Sequence, residues 1–228
     1  MGLQSRRPAP RSAGIAAAGV VGLAAGITYS SWLAAPWLNP RVSVRASFVS
    51  DLGAAGQPHA GVFNSLDALA GIGIIVLAWG LWRRLGGGRL LGLGCLALAG
   101  FGVGSIAEAI LPLDCAPSLN AACAEREASG HGISWADRGH TIASVYSIVA
   151  VLLSMLFLCW ALRHARGWRW PARCWLVAGP LVFLLTAYVG VAALDRQLPG
   201  IAERIYVAAF SLWILTLAGA LLRSARHP

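Results

Sequence analysis

Lysine is absent from this chain of 228 residues, and charge of either sign is scarce, at 12% of the residues against about 25% in an ordinary soluble domain. A soluble domain and a disordered chain are therefore poor readings. Short catalytic signatures are missing as well. No H-E-x-x-H or H-x-x-E-H spacing occurs, which removes the local zinc-hydrolase patterns, and no G-x-S-x-G elbow marks a serine hydrolase. No two His fall on facing hydrophobic segments at matching depth, which disfavours haem. The basic residues are all Arg, 18 of them. GC-rich codon usage accounts for this more simply than a functional demand for guanidinium.

What the chain has instead is apolar length. Hydrophobic residues make up 57% of it, and the mean hydropathy is +0.67. A membrane-spanning helix needs about 20 mainly apolar residues. Six segments qualify, at roughly 14–38, 60–82, 89–112, 141–162, 174–194 and 205–222. The fold class expected is all-α, a bundle of six transmembrane helices. Short tails at 1–13 and 224–228 flank a single transmembrane domain over 14–223.

The charges give the orientation. Arg6, Arg7 and Arg11 precede the first span. Arg83, Arg84 and Arg89 separate the second from the third; Arg163, Arg166, Arg169 and Arg173 separate the fourth from the fifth; Arg223 and Arg226 follow the sixth. These twelve share one side. All nine acids lie in or near the opposite loops, together with the other six Arg. The positive-inside rule then puts both termini in the cytoplasm of a multi-pass plasma-membrane protein. The formal charge of +9 is an orientation signal, and no nucleic-acid partner is expected. The first span reads as a retained signal anchor: it exceeds a signal-peptide core and no clear A-x-A site follows it. Ser5-Arg6-Arg7 resembles the start of a twin-arginine signal, but Pro8-Ala9-Pro10 breaks the rest.

Trp79, Trp82, Trp160, Trp168, Trp170 and Trp175 cluster at the expected inner boundary, and Trp32 and Trp37 at the outer one, as interfacial anchors do. Gly22-x-x-x-Gly26 and Gly100-x-x-x-Gly104 allow close helix approach, within the chain or across a dimer face. Cys115 and Cys123 share the third loop, on the side that permits disulfides, and are expected to pair; the competing reading makes them metal ligands with Asp114 or His131. Cys95, Cys159 and Cys174 read as small packing residues.

Ionisable residues inside spans cost several kcal/mol by insertion scales and are functional candidates by default. Asp67 lies about two turns into the second span and Glu108 about one turn from the end of the third, both in the outer half. Asn64 shares a helix face with Asp67, and Ser105 with Glu108. His140, Ser144 and Ser147 form a stripe along the fourth span. Ser50, Asp51, His59, Asp114, Asp137, Glu203, Arg204 and Tyr206 lie at the same level. An outward-facing polar pocket is expected. Its candidate catalytic groups are Asp51, Asp67, Asp114 and His140, and its candidate ligand-binding groups are Ser50, His59, Asn64, Glu108, Ser144, Glu203 and Arg204. Asp51, His59, Asp114 and His140 are the types of side chain that hold a divalent metal ion, which would activate water on a lipid ester or amide. The sequence leaves three classes open. The first is binding or processing of a lipid or envelope precursor, with or without catalysis. The second is a structural or partner subunit in which Asp67 pairs with Arg138 or Arg204. The third is a small-solute or proton-coupled transporter.

Ser50-Asp51-Leu52-Gly53 entering the second span, then Pro58-His59 and Asn64, resembles the signature of the bacterial and archaeal "domain of unknown function 998" membrane family. Leu111-Pro112-Leu113-Asp114-Cys115, His140, and Gly200-Ile201-Ala202-Glu203-Arg204-Ile205 are similar to the rest of its pattern. The likeness extends from about Gly14 to Arg223 and implies six or so spans and no stated activity. Its motif positions are Ser50, Asp51, Gly53, Asn64, Pro112, Asp114, His140, Glu203 and Arg204. A fainter likeness, through the acid-Gly-x-x-Pro…Asn stretch, is to a six-span family linked to autophagy modulation and GPI-lipid remodelling, and implies lipid handling.

Overall fold

Inside a bilayer no water satisfies backbone N–H and C=O groups, so a chain of long apolar runs must close its hydrogen bonds within helices. The computed structural model describes residues 10–195, 197 and 200–226. Arg6, Arg7 and Arg196 lie outside the described residues. The helices are α1 (Pro10–Thr28), α2 (Ala35–Leu38), α3 (Ala60–Leu85), α4 (Arg89–Ile110), α5 (Ala121–Ser129), α6 (Trp135–Leu162), α7 (Arg169–Leu194) and α8 (Gly200–Arg226). Six stretches are long and apolar enough to cross a membrane: 13–38, 60–85, 89–110, 135–162, 169–194 and 200–225.

The differences from the expected spans have physical causes. α6, α7 and α8 begin about one and a half turns earlier than hydropathy suggests, because their first turns carry charged residues. Asp137 and Glu203 suit a helix start, where the dipole favours negative charge. α3 runs on through Arg83 and Arg84 to Gly86, whose φ of 63° ends it in a conformation that favours glycine. The first span is broken. The hydroxyls of Thr28 and Ser30 donate back to carbonyls of α1, Ser30 Oγ to Gly26 O at 2.9 Å, and a 3-10 turn at Ser31–Ala34 leads into α2. α5, inside the third loop, has no counterpart in the sequence reading.

The spans pack in chain order: α1 on α3, α3 on α4, α4 on α6, α6 on α7, α7 on α8, and α8 back on α1. Without a hydrophobic drive between helices in lipid, close approach supplies the cohesion. A Cβ on Gly71 would stand 2.5 Å from Gly102 O, and one on Gly102 would stand 2.5 Å from Gly71 O. Gly22 and Gly26 meet Leu77, Ala218 and Leu215, while Gly100 and Gly104 meet Tyr146 and Ser147. Both GxxxG pairs therefore serve packing within the chain. The centre is filled by Leu77, Leu81, Leu98, Leu158 and Trp213. Trp213 is 1% exposed, and its Nε1–H donates to Ser154 Oγ at 3.0 Å. α7 is marginal, with Val177, Leu181, Leu184 and Leu194 exposed.

Trp37, Trp79, Trp82, Trp160 and Trp170 are exposed, and Arg163 stacks over Trp160 at 3.9 Å. Trp168 is instead buried in the core, a correction to its assignment as an interfacial anchor. Cys95 and Cys159 are buried, but Cys174 is exposed and does not serve as a packing residue. Cys115 and Cys123 form a disulfide, with Cα atoms 6.1 Å apart.

Gly71→Ala or Gly102→Ala forces α3 and α4 apart and should destabilise the protein by about 1–3 kcal/mol, seen as a lower Tm in detergent. Gly92→Ala, in α4 with nothing within 4 Å of its Cβ position, should leave Tm unchanged or slightly raised.

Candidate functional site

At the end of the bundle opposite the termini, the helices enclose a cavity of about 170 Å³. α3 brings Asn64 and Asp67, α4 Ser105 and Glu108, α6 His140, Ser144 and Ser147, and α8 Glu203 and Tyr206. The break in the first span adds Tyr29 and Trp32, and Ser50 and Gly53 come from the following loop. Phe101 and Phe210 lie seven residues deeper along their helices than Glu108 and Glu203, with ring centroids 6.0 Å apart. Tyr29 packs edge-on against Phe101 at 5.3 Å. These rings separate the cavity from the apolar core.

His140 is 9% exposed, and its Nδ1–H donates to Leu111 O at 2.9 Å and to Glu108 O at 3.2 Å. Carbonyls only accept, so Nδ1 carries a proton and Nε2 is the ring nitrogen left for the cavity. That Nε2 is buried with no hydrogen-bond partner. Glu108 in turn accepts from Ser147 Oγ at 2.6 Å. The lining holds three carboxyl groups, those of Asp67, Glu108 and Glu203, and no Arg.

The other predicted site residues do different work. Asp51 accepts from the Phe48 amide at 3.0 Å and from the Ser118 hydroxyl; burial pushes its carboxyl above the usual range, against the pull of those two donors. Glu203, besides lining the cavity, accepts from the Val49 amide at 2.7 Å. Arg204 Nη1 donates to the carbonyls of Val44, Ser47 and Gly200 at 3.1, 2.7 and 3.1 Å. Asn64 Nδ2 donates to Gly53 O at 3.0 Å, and a Cβ on Gly53 would collide with Asn64 Oδ1. Together these bonds fasten the 39–59 loop over the cavity. Asp114 accepts from the Ser134 amide at 2.7 Å and its own amide donates to Asp137 Oδ2 at 2.9 Å, tying the ends of the third loop. The Ser134 hydrogen bonds hold the Asp114 carboxyl below the usual range.

Four expectations are thereby corrected. Charged groups at this level do not all face one pocket: Asp51, Asp114, Asp137 and Arg204 are engaged by loop backbone, and exposed His59 sits in a left-handed turn (φ 57°) ahead of α3. The proposed metal set of Asp51, His59, Asp114 and His140 does not converge; among the described residues no three His, Cys, Asp or Glu could hold an ion together. Asp67 does not pair with Arg138 or Arg204, because Arg138 donates to Gly130 O at 3.0 Å and Arg204 to the carbonyls above. Trp32 lines the cavity rather than anchoring at an interface. Tyr29 and Ser118 escaped sequence reasoning, although Tyr29-Ser30-Ser31-Trp32 is a polar interruption of an apolar run and could have signalled Tyr29.

Glu127 in α5 is half-buried near three other acids. Burial first, then Asp137, Asp51 and Asp114, pushes its carboxyl from 4.5 up to about 7. A carboxyl raised on folding contributes stability that is fully present below its unfolded value and lost as pH climbs through its folded one. The Tm in detergent should therefore fall by about 2–4 °C between about pH 5 and about pH 8, and Glu127→Gln should flatten that fall.

No curated protein and no solved structure matches the chain. A family model described as "Protein of unknown function (DUF998)" matches residues 22–220, a stretch that contains every cavity-lining position and every loop clamp described above. The chain therefore belongs to the DUF998 family of membrane proteins.

Proposed function

We propose that this protein binds, and acts by acid–base chemistry on, the polar end of a lipid or envelope precursor held in the cavity from the extracytoplasmic leaflet of the plasma membrane. The asymmetry of twelve Arg against nine acids supports this orientation. The observation that carries the reading is His140 Nε2, a buried ring nitrogen without a partner on a ring whose Nδ1–H two carbonyls hold. An unsatisfied buried polar atom costs about 1–3 kcal/mol, and its persistence beside Asp67 and Glu108 fits a site completed by a ligand. Such an imidazole accepts a proton or hydrogen bond from a hydroxyl, amine or water, and the neighbouring carboxyl groups stabilise the charge that results. The volume suits a head group, with any acyl chain lying outside among the helices.

A second reading, a structural subunit, is supported by the clamps of Asp51, Asp114 and Arg204, whose hydrogen-bonding groups serve loop backbone.

Native mass spectrometry of the protein taken gently from its own membrane should show one bound lipid or precursor. Asp67→Asn combined with His140→Gln should lower that occupancy by more than tenfold while the folded yield holds. A protein that arrives empty, or variants that retain full occupancy, would sink the reading; variants that fail to accumulate would favour the structural subunit.

A further inference from the structure

Building on the reading above, we infer that the group recognised in the cavity is a small organic ammonium with an oxygen beside it, the head of an amino alcohol, either free or esterified in a lipid. The argument is an account of donors and acceptors. The lining offers acceptors in the carboxyl groups of Asp67, Glu108 and Glu203, and in His140 Nε2 when the ring is neutral. Its amide donor is engaged, since Asn64 Nδ2 serves Gly53 O. The hydroxyls of Ser105 and Ser147 already donate, to Phe101 O and to Glu108. The carboxyl and imidazole groups of the lining favour a ligand that donates, and an –NH3⁺ brings three N–H groups and no acceptor.

Charge points the same way. Three carboxyl groups face one small space with no Arg in the lining, and the buried guanidinium nearby, Arg204, turns Nη1 to loop carbonyls. A cation entering the cavity would pair with these groups in their ionised form. The walls carry Tyr29, Trp32, Phe63, Phe101, Tyr206 and Phe210, and aromatic faces attract an organic cation within about 6 Å. A bare divalent ion fits less well, because no three ligating side chains converge among the described residues. Trp32 Nε1, a lining N–H buried without a partner, matches the oxygen next to the ammonium. About 170 Å³ accommodates a group of a few heavy atoms.

The test uses the full chain in detergent, with ethanolamine as probe and ethylene glycol as its uncharged analogue. Ethanolamine should raise Tm in a saturable manner, and ethylene glycol should not do so at a tenfold higher concentration. Asp67→Asn and Glu108→Gln should each weaken ethanolamine binding by at least tenfold. Asp67 makes no hydrogen bond to the helices around it that would couple it to folding, so its variant gives a reading even if Glu108→Gln does not accumulate. In nanodiscs, phosphatidylethanolamine that competes with free ethanolamine, where phosphatidylglycerol does not, identifies the esterified form; no competition by either identifies the free amino alcohol. Equal stabilisation by ethylene glycol, or undiminished binding by both variants, overturns the inference. Should ethanolamine fail while a nitrogen-free lipid remains bound in native mass spectrometry, this inference falls and the cavity reading stands. Failure of ethanolamine together with an empty protein removes both.

Discussion

The Arg204 guanidinium is buried near the start of α8, where its Nη1 gathers three carbonyl oxygens, two from the loop that follows the first span and one from its own helix. Glu203, one residue earlier, takes the Val49 amide of the same loop. Through this adjacent pair the last span holds the connection between the first two, at the end of the bundle where α1 and α8 meet. A charged side chain costs several kcal/mol at membrane depth, and backbone carbonyls are what make this one tolerable. The roof of the cavity hangs from that contact. Asp51, fastened to Phe48 and Ser118, and Asn64, fastened to Gly53, extend the same fixing toward the third loop and α3.

Polar residues at this level thus fall into two groups that chemistry alone does not separate. Asp51, Asp114 and Arg204 have hydrogen-bonding groups engaged by backbone partners, and their work is to fold loops that carry no regular structure. Asp67, Glu108 and His140 sit on regular helices and line the cavity, although His140 Nδ1 also serves the Glu108 and Leu111 carbonyls at the end of α4. Glu203 belongs to both groups, with one oxygen on the loop and its side chain in the lining.

Much of the architecture was legible because lipid imposes a length and a hydropathy on each span, and the six apolar runs match six observed helices to within about two turns. The misplaced starts at Trp135, Arg169 and Gly200 arise where a helix opens with charged residues that hydropathy excludes; the helix dipole favours Asp137 and Glu203 there, whereas Arg169 opens α7 against it. Glu108 and His140 were legible as neighbours because an intramembrane acid and a polar stripe on the next span occur at matching depth. The role of Asp51 was not legible, since a carboxylate that closes a 3-10 turn and one that meets a ligand look alike in sequence. Nor was the cavity role of Trp32, which depends on the break after α1 turning that residue inward.

The return of α8 onto α1 also has a temporal meaning. The acids of α3 and α4 enter the membrane early in synthesis, while Glu203, Tyr206, Phe210 and the clamp at Arg204 belong to the last span to emerge. Until that span inserts, the roof loop lacks its Glu203 and Arg204 contacts and the floor lacks half of its aromatic pair. A nascent chain therefore holds a cleft open to lipid where the folded bundle holds a chamber.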